Sequence, residues 1–325
     1  MRRGLAKHMV DRLPIIVSGS LAYDEVFFYD GRIKDHLPVE RGIPLYLNLR
    51  PRGPHRAPGG CGGNVAYTMS LLGAGVSLSS WLGKDGGDYR NQLERRGIDT
   101  SAVVTAGGEL TTRAILLADS VGDHILFFGE PETPVRLEIP SLRPYRLAVV
   151  TAGIPAQSIE FLLACRKIAL PCVVDPGKFI MDVPPADLRD AIDGADSLVL
   201  NEYEHRLLLD RLAMSAEELS SRVSRLIITR GGKETIVMLG DSEERVPPPA
   251  PRMIVDPSGA GDAFLAAYAY ARYRGCSAAW CARCGSTAAS FALETPGTQD
   301  HRFTVDDFRE RLAAAYGTPE AALFP

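Results

Sequence analysis

The residues best able to do chemistry gather in one run, Val255-Asp256-Pro257-Ser258-Gly259-Ala260-Gly261-Asp262-Ala263-Phe264. There a strand ends, a glycine-rich turn follows and an alanine-rich helix begins. Gly259 and Gly261 let the backbone approach a ligand closely. The first-turn N–H groups of the helix point ahead of it with a partial positive charge behind them. A transferring phosphoryl group fits that position. Asp262 stands in the same turn, where a second negative charge repels a phosphate unless it has another task. Accepting a proton from an attacking hydroxyl is such a task. A tight turn and a carboxylate favoured by the helix dipole would also explain the run taken alone.

A second run, Gly59-Gly60-Cys61-Gly62-Gly63-Asn64, is again glycine-rich. Its glycines let a ribose-sized ligand touch the backbone, and Asn64 can donate to and accept from vicinal hydroxyls. Asn201 and Glu204 occur as N-E-Y-E, which as a bare pattern is a helix cap. No G-x-x-x-x-G-K-[ST] loop occurs, so a phosphate site here is of another kind. Cys281 and Cys284 form C-x-x-C in an alanine-rich stretch with no second pair or histidine cluster, which reads as helix packing rather than a zinc or redox site.

These residues need elements to hold them. Short apolar runs beginning at Ile15, Leu147, Cys172, Ser197 and Arg225 have the continuous hydrophobicity of buried parallel strands. Amphipathic segments at 157–170, 202–212, 216–223, 259–273 and 278–293 separate the later strands or follow them. This alternation predicts an α/β fold: a doubly wound, mainly parallel sheet flanked by helices. Around residues 26–58 and 111–130 the pattern turns to alternation, as in TTRAILLADS and DHILFFGE. A small β-sheet lid is predicted there, inserted into a single domain and placed over the carboxyl ends of the sheet strands, where open α/β folds bind ligands. Residues 247–251, rich in proline, form a connector.

Composition narrows the function. The 325 residues are 46% apolar, enough for a well-buried core, and the net charge of −4 comes from mixed acids and bases with no basic stripe. Nucleic acid is not an expected partner. The chain has no apolar run of bilayer length and no signal-peptide core, so neither a membrane nor export is expected, and a cytoplasmic location is. Six cysteines in a reducing compartment are expected to remain thiols.

The stretch from Asp256 to Asp262 resembles the D-T-x-G-A-G-D signature of the ribokinase-like (PfkB) family, with Pro257 and Ser258 replacing the usual Thr and variable residue. The stretch from Gly59 to Ala66 is similar to the family's G-G-x-G-x-N-x-A. The resemblance runs from about Pro14 to about Leu312. It implies an ATP-dependent kinase acting on a hydroxyl, expected to be the 5′-type CH2OH, of a nucleoside such as adenosine or of a sugar.

By this resemblance Asp262 is the catalytic base, and Gly259, Ala260 and Gly261 form the anion hole. Asp24, Gly59, Gly60 and Asn64 bind the acceptor. Asn201, Thr229, Gly231, Gly232 and Ala289 lie along the nucleotide, with Glu234 standing where the family's T-x-G-x-x-G has its last glycine. Ala288, Ala289 and Ala292 would leave room for a purine. Glu204 and Asp256 would act indirectly on Mg2+ or on a monovalent cation such as K+.

Finer features, GSLAYD, GRIKDHL, GDHILFFGE and DPGKF, resemble the adenosine-kinase-like branch. A ribokinase- or fructokinase-like sugar kinase is the alternative, and a non-catalytic nucleotide or sugar sensor is a third. An aromatic base-stacking pocket in the lid would discriminate nucleoside from sugar. Either a monomer or a homodimer paired through the lid is compatible with the sequence.

Overall fold

The computed structural model describes residues 15–37, 47–121, 123–129, 131–177, 179–318 and 320. Residues 38–46, 122 and 130 of the expected lid insertions lie outside that set. In chain order the elements begin with β1 (Ile15–Ser18), β2 (Ala22–Tyr29), β3 (Arg52–Gly59), α1 (Cys61–Leu71), β4 (Val76–Gly83), α2 (Gly87–Arg95) and β5 (Asp99–Ala106). They continue with β6 (Arg113–Asp119), β7 (His124–Gly129), β8 (Leu147–Val150), α3 (Pro155–Lys167), β9 (Cys172–Val174), α4 (Phe179–Asp182) and α5 (Pro185–Ile192). The rest are β10 (Ser197–Asn201), α6 (Glu202–Leu212), α7 (Ala216–Arg222), β11 (Leu226–Thr229), β12 (Thr235–Leu239), β13 (Ser242–Val246), α8 (Ala260–Tyr273), α9 (Ala278–Ala292) and α10 (Val305–Tyr316).

Nine strands form the main sheet in the order β13-β12-β11-β10-β9-β8-β1-β4-β5. It is parallel throughout except for the antiparallel β12 and β13 at one edge. Successive residues of each strand feed two cores. Ile15, Val17, Val149, Val199 and Ile227 pack with α1, α8, α9 and α10. Ile16, Ala148, Val150, Leu198 and Leu200 pack with α3, α5, α6 and α7. Both faces being covered explains the unbroken apolar runs. β4 shows no such run, because Ser77, Ser79 and Ser80 interrupt it. These serines are nonetheless buried, and Ser77 Oγ donates to Asp99 Oδ2 (2.7 Å) and Ser80 Oγ to the Gly19 carbonyl (2.6 Å).

The lid is a four-stranded sheet in the order β3-β2-β6-β7. It begins at Ala22, immediately after β1, so Asp24 is itself a lid-strand residue rather than part of a loop. β3 tolerates Pro54 and Pro58 because it is an edge strand. β2 and β6 pair in parallel without a shift from Tyr23↔Arg113 to Tyr29↔Asp119, and β6 pairs antiparallel with β7. Asp24, Val26 and Phe28 therefore share one face with Ala114, Leu116 and Ala118 and with Leu126 and Phe128.

All six cysteines carry free thiols. Cys281 and Cys284 are buried in α9, where burial pushes both thiols above their ordinary values. Among the described residues no helix is long and apolar enough to cross a membrane.

Candidate active site

Two helix N-termini meet beneath the lid. α1 follows the glycine run of β3 and presents Asn64, which is buried, while α8 follows the Gly259 turn and presents Asp262, which is half-buried. Asn64 Nδ2 donates to Asp262 Oδ2 at 2.7 Å, joining two signatures nearly two hundred residues apart. Burial pushes the Asp262 carboxyl up to about 6. The Asn64 amide and the Cys61 thiol oppose that rise by hydrogen bonding, and the charges of Asp24 and Glu204 add to it. A carboxylate with this proton affinity can take a proton near neutral pH and release it again. No arginine, lysine or histidine forms an ion pair with Asp262 among the described residues.

Gly259 caps α8 with φ of +74°, a left-handed conformation that costs an L side chain about 1 kcal/mol or more. The Ala260 amide turns back to the Pro257 carbonyl (3.3 Å). Of the expected anion hole, that amide is thus already engaged. The amides of Gly261 and, beyond the expectation, Asp262 lie in the first helical turn, where no intrahelical acceptor exists. Asp256 is a bracket: its Oδ1 accepts from Ser258 N (2.8 Å) and its Oδ2 from Gly297 N (2.9 Å). Burial works against ionisation of Asp256, but these amides outweigh it and hold the carboxyl below its ordinary range.

Asp24 Oδ2 accepts from Thr298 Oγ1 (3.2 Å), and the same hydroxyl lies 3.3 Å from the Pro58 carbonyl. Gly59 must be glycine here, since a Cβ would lie 2.4 Å from Asp24 Oδ2. Gly60 follows it as the N-cap of α1.

The expected nucleotide residues occupy the carboxyl ends of neighbouring strands. Asn201 ends β10 and caps α6, accepting from Tyr203 N and Glu204 N, while Glu204 Oε2 accepts from Asn201 N (2.8 Å). Thr229 ends β11. The Arg230–Lys233 turn closes by Lys233 N to Arg230 O (3.1 Å) with Gly231 at φ +60°, so it forms without a glycine at Glu234. Gly232 completes it. Ala288 and Ala292 are fully buried between α8 and α9 and line no cleft, and of the three alanines only Ala289 reaches the surface. Exposed apolar side chains instead stand on the segment before Asp256, at Met253, Ile254 and Val255, tied to α9 by Val255 N to Leu293 O (2.8 Å).

Several site residues carry no motif. One loop after α9 reaches three of the site residues: Gly297 N holds Asp256, Thr298 holds Asp24, and Gln299 Nε2 donates to Asn64 Oδ1 (2.9 Å). The loop is fastened to α1 by Tyr67 OH donating to the His301 carbonyl (2.6 Å). Asp175, after β9, is half-buried and its carboxyl lies well above the ordinary range, first from burial and then from the charges of Glu204 and Asp262. The signal for it was its place: an acid at the carboxyl end of a parallel strand.

Asp85, between β4 and α2, roots the lid. Its Oδ1 accepts from Thr111 N (2.8 Å), and its Oδ2 accepts from Arg56 of β3 (2.8 Å) and Arg113 of β6 (3.3 Å). Arg56 also lies 3.6 Å over the Tyr23 ring. Although burial opposes ionisation, Thr111 and the two arginines hold the Asp85 carboxyl down at about 2. Asp85→Asn removes this charge without changing shape. It is expected to raise acceptor KM roughly tenfold while leaving nucleotide KM in place, by loosening charge-assisted bonds worth about 1.5–3 kcal/mol. Steady-state kinetics varying each substrate in turn checks this.

The pfkB family of carbohydrate kinases matches residues 24–303. The chain belongs to that family. The nucleoside kinase of Methanothermobacter thermautotrophicus is 30% identical over 80% of this chain and 85% of its own length. The ribokinase of Bacillus subtilis is 28% identical over 79% and 88%. Among solved structures, the nucleoside kinase of Burkholderia thailandensis in complex with inosine superposes with a TM-score of 0.83 at 25% identity, covering 94% of this chain and 99% of that one. As a pfkB kinase this protein is an ATP-dependent phosphotransferase acting on a hydroxyl of a sugar or nucleoside.

Proposed function

We propose that this pfkB kinase phosphorylates the CH2OH of a nucleoside, with Asp262 as the general base. The observation that carries the nucleoside reading is the lid face shared with Asp24. Beyond that carboxylate the face holds Val26, Phe28, Leu116, Leu126 and Phe128, with Phe28, Leu126 and Phe128 each 42–51% exposed. A sugar alone leaves such a surface uncovered, whereas a planar base covers it. Proteins similar to this chain include nucleoside kinases, one of them in complex with inosine.

In this reading Asp24 accepts hydrogen bonds from the ribose hydroxyls, with Gly59, Gly60 and Asn64 beside it. Asp262 removes the proton from the acceptor hydroxyl as its oxygen attacks the γ-phosphorus. The bond from that phosphorus to the β-γ bridging oxygen breaks and ADP leaves. The amides of Gly261 and Asp262, presented by the Gly259–Ala260 turn, stabilise the transferring group, where charge stabilisation and alignment supply most of the rate. Met253, Ile254 and Val255, exposed apolar side chains beside α9, would offer an apolar shelf for the adenine, with Ala289, Asn201, Thr229, Gly231 and Gly232 along the rest of the nucleotide.

The donor set fits a hydrated magnesium ion. Asp175 and Glu204 are acids whose proton affinities are both raised by burial, yet no group of three ligands that could hold a metal directly exists among the described residues. Glu204 and Asp175 would hold such an ion through its waters, and it supplies neutralisation of phosphate charge.

A panel of nucleosides and free sugars with Mg-ATP tests the acceptor. Nucleosides are expected to exceed ribose and fructose in kcat/KM. Phe128→Ala is expected to raise nucleoside KM roughly tenfold, in line with the 1–3 kcal/mol of base–aromatic stacking, without changing the KM of ribose. Equal loss for both acceptors would remove the base from this lid face.

A further inference from the structure

The hydrogen bonds behind Asp262 run in one direction only. The Gly59 carbonyl can only accept, so the Tyr89 hydroxyl, 2.7 Å away, spends its single proton there. The Tyr89 oxygen is then an acceptor for Gln299 Nε2 at 2.6 Å, which turns the nitrogen of that amide inward. The other proton on the same nitrogen goes to Asn64 Oδ1 at 2.9 Å. Asn64 is left with its own nitrogen facing Asp262 Oδ2, at 2.7 Å. Reversing either amide sets two donors or two acceptors face to face. Tyr89 and Asn64 are buried, at 0% and 4% exposure, so bulk water is poorly placed to relieve such a clash.

We infer that Gln299, oriented by Tyr89, is a positioning residue for the proton acceptor: it fixes the direction of the Asn64 amide so that N–H, and never C=O, faces the Asp262 carboxylate. This rests on the reading of Asp262 as the base. The consequence is chemical. A donor aimed at an ionised carboxylate favours the charged form, and an acceptor in the same place disfavours it. Asp262 is already pushed toward its protonated form by burial and by the charges of Asp24 and Glu204. Without its amide donor it holds its proton to higher pH, and a smaller fraction of it is ready to take one from the substrate. Gln299 thus keeps the base in its working state without touching the substrate. The amide must be a glutamine of this orientation rather than any side chain of similar shape.

The test is the pH dependence of kcat/KM for the parent, Gln299→Met, Gln299→Glu and Tyr89→Phe, with Tm measured for each. Gln299→Met fills the space but donates nothing, so the acid limb is expected to move up by about one pH unit, with kcat/KM roughly tenfold lower on the acid side of the limb and about twofold lower at neutral pH. In Gln299→Glu the new carboxylate draws Asn64 Nδ2 to itself and turns Oδ1 onto Asp262. Its limb is expected to move further in the same direction than that of Gln299→Met. Tyr89→Phe releases the far end and is expected to give a smaller shift of the same sign. A packing role alone lowers Tm and leaves the limb where it was.

An unmoved limb in all three variants overturns the inference, as does a Gln299→Glu profile that coincides with that of Gln299→Met. Should the Gln299 variants fail to fold, the Tyr89→Phe profile decides, an unmoved limb again overturning it. Asp262→Asn separates this failure from that of the underlying reading. If Asp262→Asn abolishes turnover while the Gln299 limbs stay put, only the positioning role is lost. If Asp262→Asn retains turnover, the base itself is misassigned.

Discussion

Asp262→Asn is expected to lower kcat by a factor of about 10²–10⁴, the range that a positioned general base contributes, equal to roughly 3–5 kcal/mol of barrier. The substitution is isosteric and keeps an oxygen for the Asn64 amide, whose 2.7 Å hydrogen bond therefore survives. What it removes is a site that can accept a proton from an alcohol. In the proposed reading the nucleotide is held by the α8 amides and the ends of β10 and β11, so ATP affinity is expected to persist. Rapid-quench measurement of phosphoryl transfer, paired with equilibrium titration of nucleotide, separates the two. Loss of kcat together with nucleotide affinity would mean that Asp262 supports the fold of the anion hole rather than the proton transfer.

Asp24→Ala is expected to have the next largest effect, confined to the acceptor. A carboxylate hydrogen bond contributes about 1.5–3 kcal/mol, so losing two ribose hydroxyl contacts lowers kcat/KM for the acceptor on the order of 10²-fold or more. KM for ATP is expected to stay within a factor of about two, because Asp24 lies on β2 and not on β10 or β11, which the proposed reading gives to the nucleotide. The substitution has a second signature. The Asp24 charge is one of the causes that raise the Asp262 carboxyl. Removing it moves the acid limb of the pH profile to lower pH, opposite in sign to the shift expected for Gln299→Met. Dependence of kcat/KM on pH for acceptor and nucleotide separately checks both parts.

The parts of this molecule legible in its sequence are those where a local rule dominates. β1, β8, β9, β10 and β11 are buried on both faces, so their apolar runs announce a parallel sheet, and capping at Asn201 and Ser215 marks the helices that follow. Asp262 and Asn64 were legible because glycine turns and helix starts impose residue types at short spacing. Gln299, Tyr89, Thr298 and Asp85 were not, for a physical reason. Each acts through side-chain contacts with residues that are not its neighbours in sequence, Gln299 with Tyr89 across 210 residues, and no local conformational rule constrains either end.

Asp24 shows the middle case. Its type was legible and its element was not, because β1 passes into the lid within three residues with no turn signal strong enough to separate the two sheets. The alanines of α9 show the converse error. Small residues at helical spacing signal close packing as readily as a ligand pocket, and Ala288 and Ala292 serve the contact with α8. The lid face was foreshadowed by alternation in 113–119, but which face turns toward Asp24 follows only from the unshifted β2–β6 register.

The most direct test of Asp262 as the group that takes the acceptor proton is kcat/KM for a nucleoside followed from acid to neutral pH in the parent and in Asp262→Asn. Because the base must be ionised and its carboxyl is raised to about 6, activity in the parent is expected to climb as pH rises through that value and to level off above it. The residual activity of Asp262→Asn is expected to show no such step. A step near pH 6 that persists unchanged in Asp262→Asn would contradict the assignment.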